Sequence, residues 1–554
     1  MQENKGLQDE HVVPLDAEQI EPLVAEEHDN PFPLRGLVII LVAALVSFGF
    51  YKLLGSWLPD SEIVNANTRK GLALLLFIAT LWLTEAVHIS ITSLLVPIAA
   101  ILIGMGQNTY VTDEVTKELL SIKKIDGLSI KAAMASFADP IIFTFFGGFA
   151  LATALHIQKL DKKIALWLIS LSGNRLGVSA ILICIATAAL SMWVSNTATA
   201  AMMLPLAMGI LANIDMQKDR NTVVFILLGI AYSASIGGLG TLVGSPPNGI
   251  AAKALGYEFA DWMKVGLPIM LILLPLMLAC MYVVFRPKLG QKIEIQAENI
   301  PWNRTRIMTV IVFACAALLW ICTKPTNDYF VAVERAMNIC GVTDSQAWFL
   351  NLTDECRQTI ETALKENKGK IPNQTIYLPK LSDAFVAISA AIAIVTLGLA
   401  KWKDIAENTE WGVLILFGGG LTLSMILDKS GAAYVLGKSF AGVFAGIPTW
   451  LLMVLVSVFV IAITEFTSNT ASAALLVPVF GAIAAQMGLP KETLVIIIGI
   501  GASCAFVMPV ATPPNAIVFG TGQIRQMEMV KCGLLLAVLS AVVLGTYVYF
   551  AYPS

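Results

Sequence analysis

The sequence contains little charge. Only 14% of its 554 residues are Asp, Glu, Lys or Arg, and 57% are hydrophobic. A soluble globular protein carries about a quarter charged residues, so that class is excluded. Several apolar runs approach the roughly 20 residues with which a helix crosses a bilayer. We therefore predict an all-α polytopic membrane protein.

Catalytic and nucleotide-binding patterns are also missing. The chain has no His-Glu-x-x-His pair of metal ligands, no Walker-type glycine loop and no Gly-x-Ser-x-Gly elbow. An intramembrane enzyme would need a convergent nucleophile, base or set of metal ligands, and these motifs supply none. We therefore expect neither an enzyme nor an ATP-driven pump, and no nucleic-acid partner.

What the chain does contain is one polar sequence motif that occurs twice. Each copy holds Ser-Asn-Thr and then, at a similar distance, Ser/Thr-Pro-Pro-Asn, and each follows a Phe-Gly-Gly sequence that we expect to form a turn. The three parts begin at Phe146, Ser195 and Ser245 in the first copy and at Phe417, Ser468 and Thr512 in the second. Gly/Pro-interrupted apolar segments at corresponding positions of two halves point to a transporter binding site between inverted repeats. The pattern predicts a secondary transporter.

The chain divides into two repeats. Residues 1–34 hold nine acidic residues against Lys5 alone, and we expect them to form a disordered cytoplasmic tail. The first repeat covers 35–285, a cytoplasmic linker covers 286–304 and the second repeat covers 305–554. About eleven transmembrane helices are expected near 36–54, 69–87, 88–106, 139–158, 222–241, 263–285, 305–323, 383–400, 411–428, 491–511 and 528–552.

Two apolar stretches do not behave as simple spans. Residues 177–213 and 449–486 are apolar on both sides of their Ser-Asn-Thr centre, which predicts a re-entrant helical hairpin in each. Irregular backbone at membrane depth is tolerated only where protein or an aqueous cavity surrounds it. A broken helix is expected after each hairpin, at 222–258 and 491–523.

The distribution of Lys and Arg over the short loops predicts the orientation in a plasma membrane, which is the inner membrane if the source is prokaryotic. It places the N-terminus in the cytoplasm and the C-terminus outside. The loop 324–381 would then be extracytoplasmic, and it contains Cys340 and Cys356. These cysteines could form a disulfide in an oxidising compartment, although their spacing does not establish one.

The residues of the repeated motif suit the binding of both an anion and a small cation. Ser and Thr hydroxyls donate and accept hydrogen bonds, and Asn supplies one carbonyl oxygen and two donors. Helix ends expose unpaired backbone groups, whose N–H side favours anions and whose carbonyl side favours hard cations. We expect each hairpin tip to hold one cation and one end of an anion.

Charged residues are missing from these centres. No Lys, Arg, His, Asp or Glu occurs within 191–205, 241–252, 466–480 or 503–520. An anion buried there without a counter-charge would be prohibitively costly. Two Na⁺ ions held by neutral oxygens, one in each repeat, would offset that cost and make anion binding depend on cation binding. The alternative is that Ser, Thr and Asn only bond neighbouring helices to each other, and the duplication disfavours it.

Six strings resemble the divalent anion–sodium symporter family of dicarboxylate, citrate and sulfate carriers. They are WLTEA from Trp82, SMWVSNTATAAMMLP from Ser191, GSPPN from Gly244, FGGG from Phe417, SNT from Ser468 and ATPPN from Ala511. The resemblance covers nearly all of 36–552. It implies a homodimer in which each chain has a scaffold domain and a mobile transport domain, and which works as an elevator.

The resemblance also implies roles for individual residues. The two sodium sites would use Ser191, Ser195, Asn196 and Gly244, and Thr464, Ser468, Asn469 and Ala511. Substrate contacts would come from Ser195, Asn196, Thr197, Ser245, Ser468, Asn469, Thr470, Thr512 and Pro513. Two intramembrane carboxylates stand apart from these sets. We expect Glu85 to have either an interfacial or helix-capping role or a functional one, and Glu465 either to make a structural hydrogen bond or to serve a cation.

The function expected is sodium-coupled symport of C4 dicarboxylates such as succinate, fumarate and malate. A dicarboxylate exchanger, or a citrate or sulfate carrier of the same fold, is an alternative. An exchanger that lacks sodium should need a protein cation beside its substrate, and none occurs in these motifs. A receptor that keeps the binding motifs without alternating access is the remaining alternative.

Overall fold

The computed structural model describes residues 34–553 without 62, 113–118, 213, 216–217, 293–299, 342–352, 368, 372–373, 375, 377–379 and 445. The acidic tail predicted for 1–34 lies outside the described residues up to residue 33. The centre of the predicted linker, 293–299, also lies outside them.

The described chain is almost entirely helical. Its first half contains α1 (Leu34–Trp57), α2 (Ala66–Thr84), α3 (Ile89–Leu102), α4 (Ile130–Met134), α5 (Pro140–Ile157), α6 (Leu160–Ser170), α7 (Leu176–Ser191), α8 (Asn196–Leu211), α9 (Arg220–Gly237), α10 (Pro246–Leu255) and α11 (Phe259–Phe285). Its second half contains α12 (Arg304–Cys340), α13 (Asp354–Glu366), α14 (Asp383–Thr396), α15 (Trp402–Asn408), α16 (Trp411–Ser430), α17 (Ala432–Val443), α18 (Thr449–Thr464), α19 (Asn469–Gln486), α20 (Lys491–Gly501), α21 (Pro513–Gly520) and α22 (Gln526–Ala551).

The prediction of a polytopic helical membrane protein is confirmed. Eight helical stretches of the described chain are long and apolar enough to cross a bilayer. In several of them fewer than half of the residues are buried inside the protein, as expected for helices that face lipid. Five further apolar helices of 10–17 residues are too short to span alone by the same criterion. The number of about eleven spans therefore stays a prediction.

The helices form two groups. One group, which we call the wall, joins α1–α5 with α12 and α14–α16; in it α5 lies along α14, and α16 along α3. The other, the hairpin group, joins α7–α11 with α17–α22. Here α9 and α20 are buried over nearly their whole lengths because α7, α8, α11, α18 and α19 surround them.

The polar triplets end helices within the two intervals predicted as hairpins. Helix α7 ends at Ser191 and α8 begins at Asn196, while α18 ends at Thr464 and α19 begins at Asn469. Ser195 is the N-cap of α8, and its hydroxyl accepts a hydrogen bond from the N–H of Ala198, a capping geometry that serine favours. The second triplet repeats this arrangement with its own serine.

Proline and asparagine break the helices that follow. Helix α9 ends at Gly237 and α10 starts at Pro246, whose ring suits the first helical turn and cannot continue a preceding helix. The Asn248 side-chain amide donates to the carbonyls of Gly238 at 2.8 Å and Thr241 at 2.7 Å, which holds the extended stretch in place. Asn515 bonds Ala505 and Met508 in the same manner between α20 and α21.

The Phe-Gly-Gly sequences do not form turns, contrary to our expectation. Both lie inside helices, in α5 and α16. A Cβ atom on Gly147 would come within 2.5 Å of Ala387, and one on Gly419 within 2.5 Å of Ser93. These glycines instead allow α5 to approach α14 and α16 to approach α3, which is a common use of small residues between membrane helices.

The segment 324–381 is more structured than the predicted loop. Helix α12 continues through Pro325 to Cys340, and the separate helix α13 follows. The side chain of Asn327 makes two hydrogen bonds to Leu381, and that of Asn338 makes two to Ile376 and one to Glu334 of its own helix. The chain that follows α13 therefore runs back along α12. Cys340 is disulfide-bonded to Cys356. The helix extends past the apolar run because Val333 and Ala336 are buried there.

A two-stranded antiparallel hairpin was not predicted from the sequence. Strand β1 (Gly106–Thr112) pairs with β2 (Leu119–Gly127). Asn108 of β1 accepts hydrogen bonds from Asn65 and Asn67 and donates to the carbonyl of Ser430 at the end of α16. The hairpin therefore closes one end of the wall.

Candidate substrate and ion site

One cavity of about 570 Å³ lies between the hairpin group and the wall. The N-termini of four helices, α8, α10, α19 and α21, point their first residues into it. The sequence-predicted residues that line it are Ser195, Asn196, Thr197, Gly244, Ser245, Ser468, Asn469, Thr470, Ala511, Thr512 and Pro513. The remaining two, Ser191 and Thr464, do not line the cavity and are fully buried.

The four helix ends give the cavity its preference for negative charge. Unpaired N–H groups and the positive end of the helix dipole favour anions, and here four such ends converge. Helices α10 and α21 each begin with two prolines, which carry no N–H. The residues 195–197, called the first tip, and 468–470, called the second tip, therefore offer more of the free backbone donors.

Three oxygens crowd together beside the first tip. The Ser191 hydroxyl lies 2.7 Å from Asn196 Oδ1 and 2.7 Å from the Ala234 carbonyl. The atom at the Asn196 Oδ1 position also lies 3.0 Å from the Ala234 carbonyl oxygen and 3.3 Å from the Gly244 carbonyl oxygen. One hydroxyl proton cannot serve all these oxygens. Either the Asn196 amide turns to present its NH₂ group to them, or a cation binds among them.

The second tip repeats this geometry in the other half of the chain. Thr464 Oγ1 lies 2.6 Å from Asn469 Oδ1 and 2.8 Å from the carbonyl of Ala502. Again a hydroxyl, an amide five residues further on and a backbone carbonyl share one proton. Neutral oxygens in such clusters fit a small hard cation. Both predicted cation positions therefore have a donor set that suits Na⁺.

Another oxygen in each repeat is buried without a partner. Asn248 Oδ1 and Asn515 Oδ1 accept no hydrogen bond, although the NH₂ group of each side chain is fully used. Buried polar atoms without partners are rare and indicate a missing ligand, water or ion. Their equivalent positions in the two repeats are consistent with a duplicated site.

A direct contact joins the two repeats at the cavity. Ser245, the N-cap of α10, lies with its hydroxyl 3.0 Å from the Ser503 hydroxyl, and both are almost fully buried. Ser503 follows α20 and was not predicted. A Cβ atom on Gly244 would come within 2.6 Å of the Gly238 carbonyl, so glycine lets the chain pass close to the first oxygen cluster. The second repeat has Ala511 there instead.

Glu465 resolves to one of its two expected roles. Its carboxylate accepts hydrogen bonds from the backbone N–H groups of Phe506, Val507 and Met508 at 2.8–3.1 Å. These N–H groups are free because α20 has ended at Gly501. The carboxylate thus holds the extended stretch between α20 and α21, which is a structural role.

The ionisable groups that line the cavity among the described residues are both acidic. They are Glu85, which caps the C-terminus of α2 with a positive φ of 46°, and Glu410, which immediately precedes α16. Glu85 thus has the capping position that was one of its two expected roles. No Lys, Arg or His of the described chain joins them in the lining. An anion must therefore rely on helix ends and bound cations.

Sequence reasoning missed the cavity's other contributors for identifiable reasons. The carbonyls of Ala234 and Ala502 carry no side-chain signature. Phe145 and Phe149 of α5 line the cavity as ordinary apolar helix residues. Glu410 could have been noticed as a carboxylate next to an apolar run, in the same way as Glu85.

The chain is similar in sequence to known membrane transporters. Residues 37–551 match the family model described as the sodium:sulfate symporter transmembrane region. An uncharacterized transporter of Haemophilus influenzae is 49% identical over 515 residues, which are 93% of this chain and 96% of that protein. The sodium-dependent dicarboxylate transporter SdcS of Staphylococcus saprophyticus is 32% identical over 505 residues, covering 87% of this chain and 86% of its own length.

Two solved transporter structures are also similar. The YdaH transporter of Alcanivorax borkumensis has a TM-score of 0.49 at 12% identity, covering 88% of this chain and 99% of its own. MtrF of Neisseria gonorrhoeae has a TM-score of 0.46 at 11% identity, covering 89% and 96%. At these scores the likeness carries no conclusion about mechanism or assembly.

Replacing Asn196 or Asn469 by Ala should weaken sodium binding. Each change removes an amide oxygen from a cluster of three, and a polar contact to a charged group contributes about 1.5–3 kcal/mol, or roughly ten- to hundredfold in affinity. The measurement is the rise in melting temperature of purified protein as NaCl replaces choline chloride. Asn408→Ala, on the exposed surface near α15, is the control and should titrate as the wild type. Unchanged sodium titrations in both tip variants would refute the assignment.

Glu465→Gln should destabilise the protein. An amide NH₂ would face backbone N–H groups that now donate to a carboxylate, and charge-assisted bonds of this kind contribute about 1.5–3 kcal/mol each. The expected result is a clearly lower melting temperature in sodium-free buffer, where no ion contributes. Glu407→Gln, an exposed surface change, serves as the control. A variant as stable as the wild type would contradict the structural role.

Proposed function

Since this chain belongs to the sodium:sulfate symporter family, and is therefore an integral membrane transporter and not an enzyme, we propose that it couples transport of a C4 dicarboxylate to that of sodium ions. The observation that carries the proposal is the pairing of two features at each tip. A helix N-terminus faces the cavity, and a hydroxyl, a side-chain amide and a backbone carbonyl lie together directly behind it.

This pairing supplies a physical basis for coupling. An anion at the tips has no lysine or arginine beside it among the described lining residues, so its burial is costly. A cation about 4 Å away contributes roughly 4 kcal/mol at the dielectric typical of protein surfaces. Each bound Na⁺ would therefore raise anion affinity, and by reciprocity the anion would raise sodium affinity.

Two tips in one cavity favour a substrate with two anionic ends. The tips come from separate repeats and each presents Asn and Thr to the same space of about 570 Å³. A linear dicarboxylate can engage both tips with one carboxylate each. The similarity to SdcS, a sodium-dependent dicarboxylate transporter, favours a dicarboxylate substrate over sulfate or citrate. The lack of a basic residue in the lining argues against a sodium-independent exchanger.

The disulfide suggests which way the cavity opens. Cys340 is the last residue of α12 and is bonded to Cys356 of α13, and disulfides persist in oxidising compartments. Glu410 follows α14 and α15, at the opposite end of the wall from that disulfide. We therefore place the open side of the cavity in the cytoplasm, with the N-terminus inside and the C-terminus outside.

An elevator motion of the hairpin group against the wall would expose the tips to the other side. In the present state the two groups meet on the outer side of the tips. Asp139, the N-cap of α5, forms an ion pair of 2.7 Å with Lys253 of α10, and the rings of Phe145 and Phe417 lie 4.7 Å apart where Gly249 of α10 contacts them. The ion pair and the packing of Gly249 on the two rings would both have to separate, whereas the two rings stay together in the wall. A homodimer is proposed on the family resemblance alone.

Purified protein in liposomes should take up labelled succinate only with a sodium gradient. Coupling energies of 1–3 kcal/mol between sites correspond to roughly 5- to 150-fold effects, so uptake should fall at least about tenfold when choline replaces sodium. Competition by fumarate and malate should exceed competition by citrate, tricarballylate or sulfate. Uptake that is equal in choline would reject coupling, and preferential block by sulfate or citrate would reject the substrate class.

Cross-linking the outer contact should stop transport. Cysteines in place of Asp139 and Lys253 would be joined by a short thiol reagent in a background without the exposed Cys315 and Cys322. Uptake should fall to background and return after reduction. The control pair replaces Asp219 and Lys288, which form a 2.8 Å ion pair within the hairpin group, and should transport in both states. Normal uptake by the first cross-linked protein would contradict movement between the two groups.

A further inference from the structure

Glu410 occupies an unusual place for an acidic residue in an anion transporter. It is the residue before α16, belongs to the wall, is partly buried and lines the cavity together with both tips. Its carboxyl group lies beside the Ser195 side chain in the lining of the same cavity. A carboxylate of the protein therefore already reaches the tip at which we place one end of the substrate.

The contact involves the group that begins the first tip. Ser195 is the N-cap of α8, and its own capping bond to the Ala198 N–H is long at 3.4 Å. The free N–H groups of α8 lie next to it, and a substrate carboxylate would approach these same groups. Two carboxylates at one helix end repel each other. The substrate must therefore displace the Glu410 side chain or bind beside its charge.

Comparison of the two repeats shows that the charge of Glu410 lacks the cationic partner that the equivalent acidic residue of the first repeat has. Asp139 and Glu410 are equivalent, because each is the N-cap of a helix and lies seven residues before the Phe of Phe-Gly-Gly. Asp139 pairs with Lys253, which lies seven residues after Pro246 in α10. The residue seven after Pro513 in α21 is Gly520, which has no side chain to offer. In the described chain Glu410 forms no ion pair.

The other carboxylate of the cavity differs from Glu410. Glu85 lines the same space, but no hydrogen bond joins it to either tip among the described residues. It caps the end of α2 and contributes charge to the cavity without a direct contact at the tips. Glu85 therefore serves as an internal reference for the effect of cavity charge alone.

We propose that Glu410 is a tethered carboxylate that competes with the transported anion for the first tip and so lowers anion affinity on the side to which the cavity opens. This rests on the proposed function. The competition weakens the hold on the substrate where it is to be released. It also disfavours anions with a third carboxylate, because that group would face the wall and its carboxylates.

The test measures succinate binding to the purified full-length protein in saturating sodium by isothermal titration calorimetry. Glu410→Gln keeps the size and can still accept a hydrogen bond from Ser195, but it removes the charge. We expect succinate to bind about tenfold more tightly. Citrate should gain by a larger factor than succinate. Glu410→Asp keeps the charge and shortens the reach, so its affinity should lie between those of the wild type and Glu410→Gln.

Two matched controls separate competition from general charge. Glu85→Gln removes the same charge from the same cavity and should change succinate affinity several-fold less than Glu410→Gln does. Glu407→Gln lies outside the lining and should bind as the wild type does. If Glu410→Gln gains nothing, or gains no more than Glu85→Gln, the proposal is overturned. If Glu410→Gln fails to fold, wild-type affinity in Glu410→Asp overturns it.

The same experiment distinguishes failure of this inference from failure of the proposed function. A wild-type protein that binds none of succinate, citrate, tricarballylate and sulfate in sodium refutes the dicarboxylate proposal, and the role of Glu410 with it. A wild-type protein that binds succinate in a sodium-dependent manner, with Glu410→Gln unchanged, refutes only the role of Glu410.

Discussion

The site depends on a group of polar atoms that lies behind each tip. In each repeat a hydroxyl lies within hydrogen-bond distance of both a side-chain amide and a backbone carbonyl. Such a cluster is satisfied either by rotation of the amide or by a cation. Because the cation would lie directly behind a helix N-terminus, its binding would increase the positive electrostatic potential that an anion meets at the tip. In the proposed mechanism, ion and anion would thus be linked by geometry, without a charged side chain between them.

The breaks in the helices make this arrangement possible and also have to be stabilised. Ending α9 and α20 inside the protein exposes carbonyl and N–H groups that would be costly if unpaired. Asn248 and Asn515 bond the released carbonyls in both repeats. Close packing is the other requirement, and glycines at 147 and 419 allow the wall helices to approach each other without side chains between them. In the proposed elevator motion, the closely packed wall would be the surface against which the hairpin group moves.

Local chemistry explains which features could be predicted from the sequence. Ser195 and Ser468 are strong N-caps, and Pro-Pro-Asn stops a helix and starts another, so the helix ends follow from residues within a few positions. The carbonyls of Ala234 and Ala502 could not be predicted, since their role depends on tertiary contact and not on side-chain type. The glycines of Phe-Gly-Gly misled because glycine signals a turn locally, yet in these helices it serves contact. The extension of α12 was missed for a related reason: buried Val333 and Ala336 are too sparse to form an apolar run.

Differences between the two repeats help to distinguish the groups that we assign to ligand binding from the groups that only hold the backbone in place. The stretch between α9 and α10 is held by the Thr241 hydroxyl, which donates to the Met192 carbonyl and accepts from the Gly244 N–H. The equivalent stretch of the second repeat is held by the Glu465 carboxylate. Two unlike groups therefore solve the same problem of support, whereas the hydroxyl–amide–carbonyl cluster is the same in both. A duplicated chain is free to vary any part that only has to hold the backbone. Parts that act on the same ligands in both halves should stay alike, and the two tips and the oxygens behind them meet that requirement.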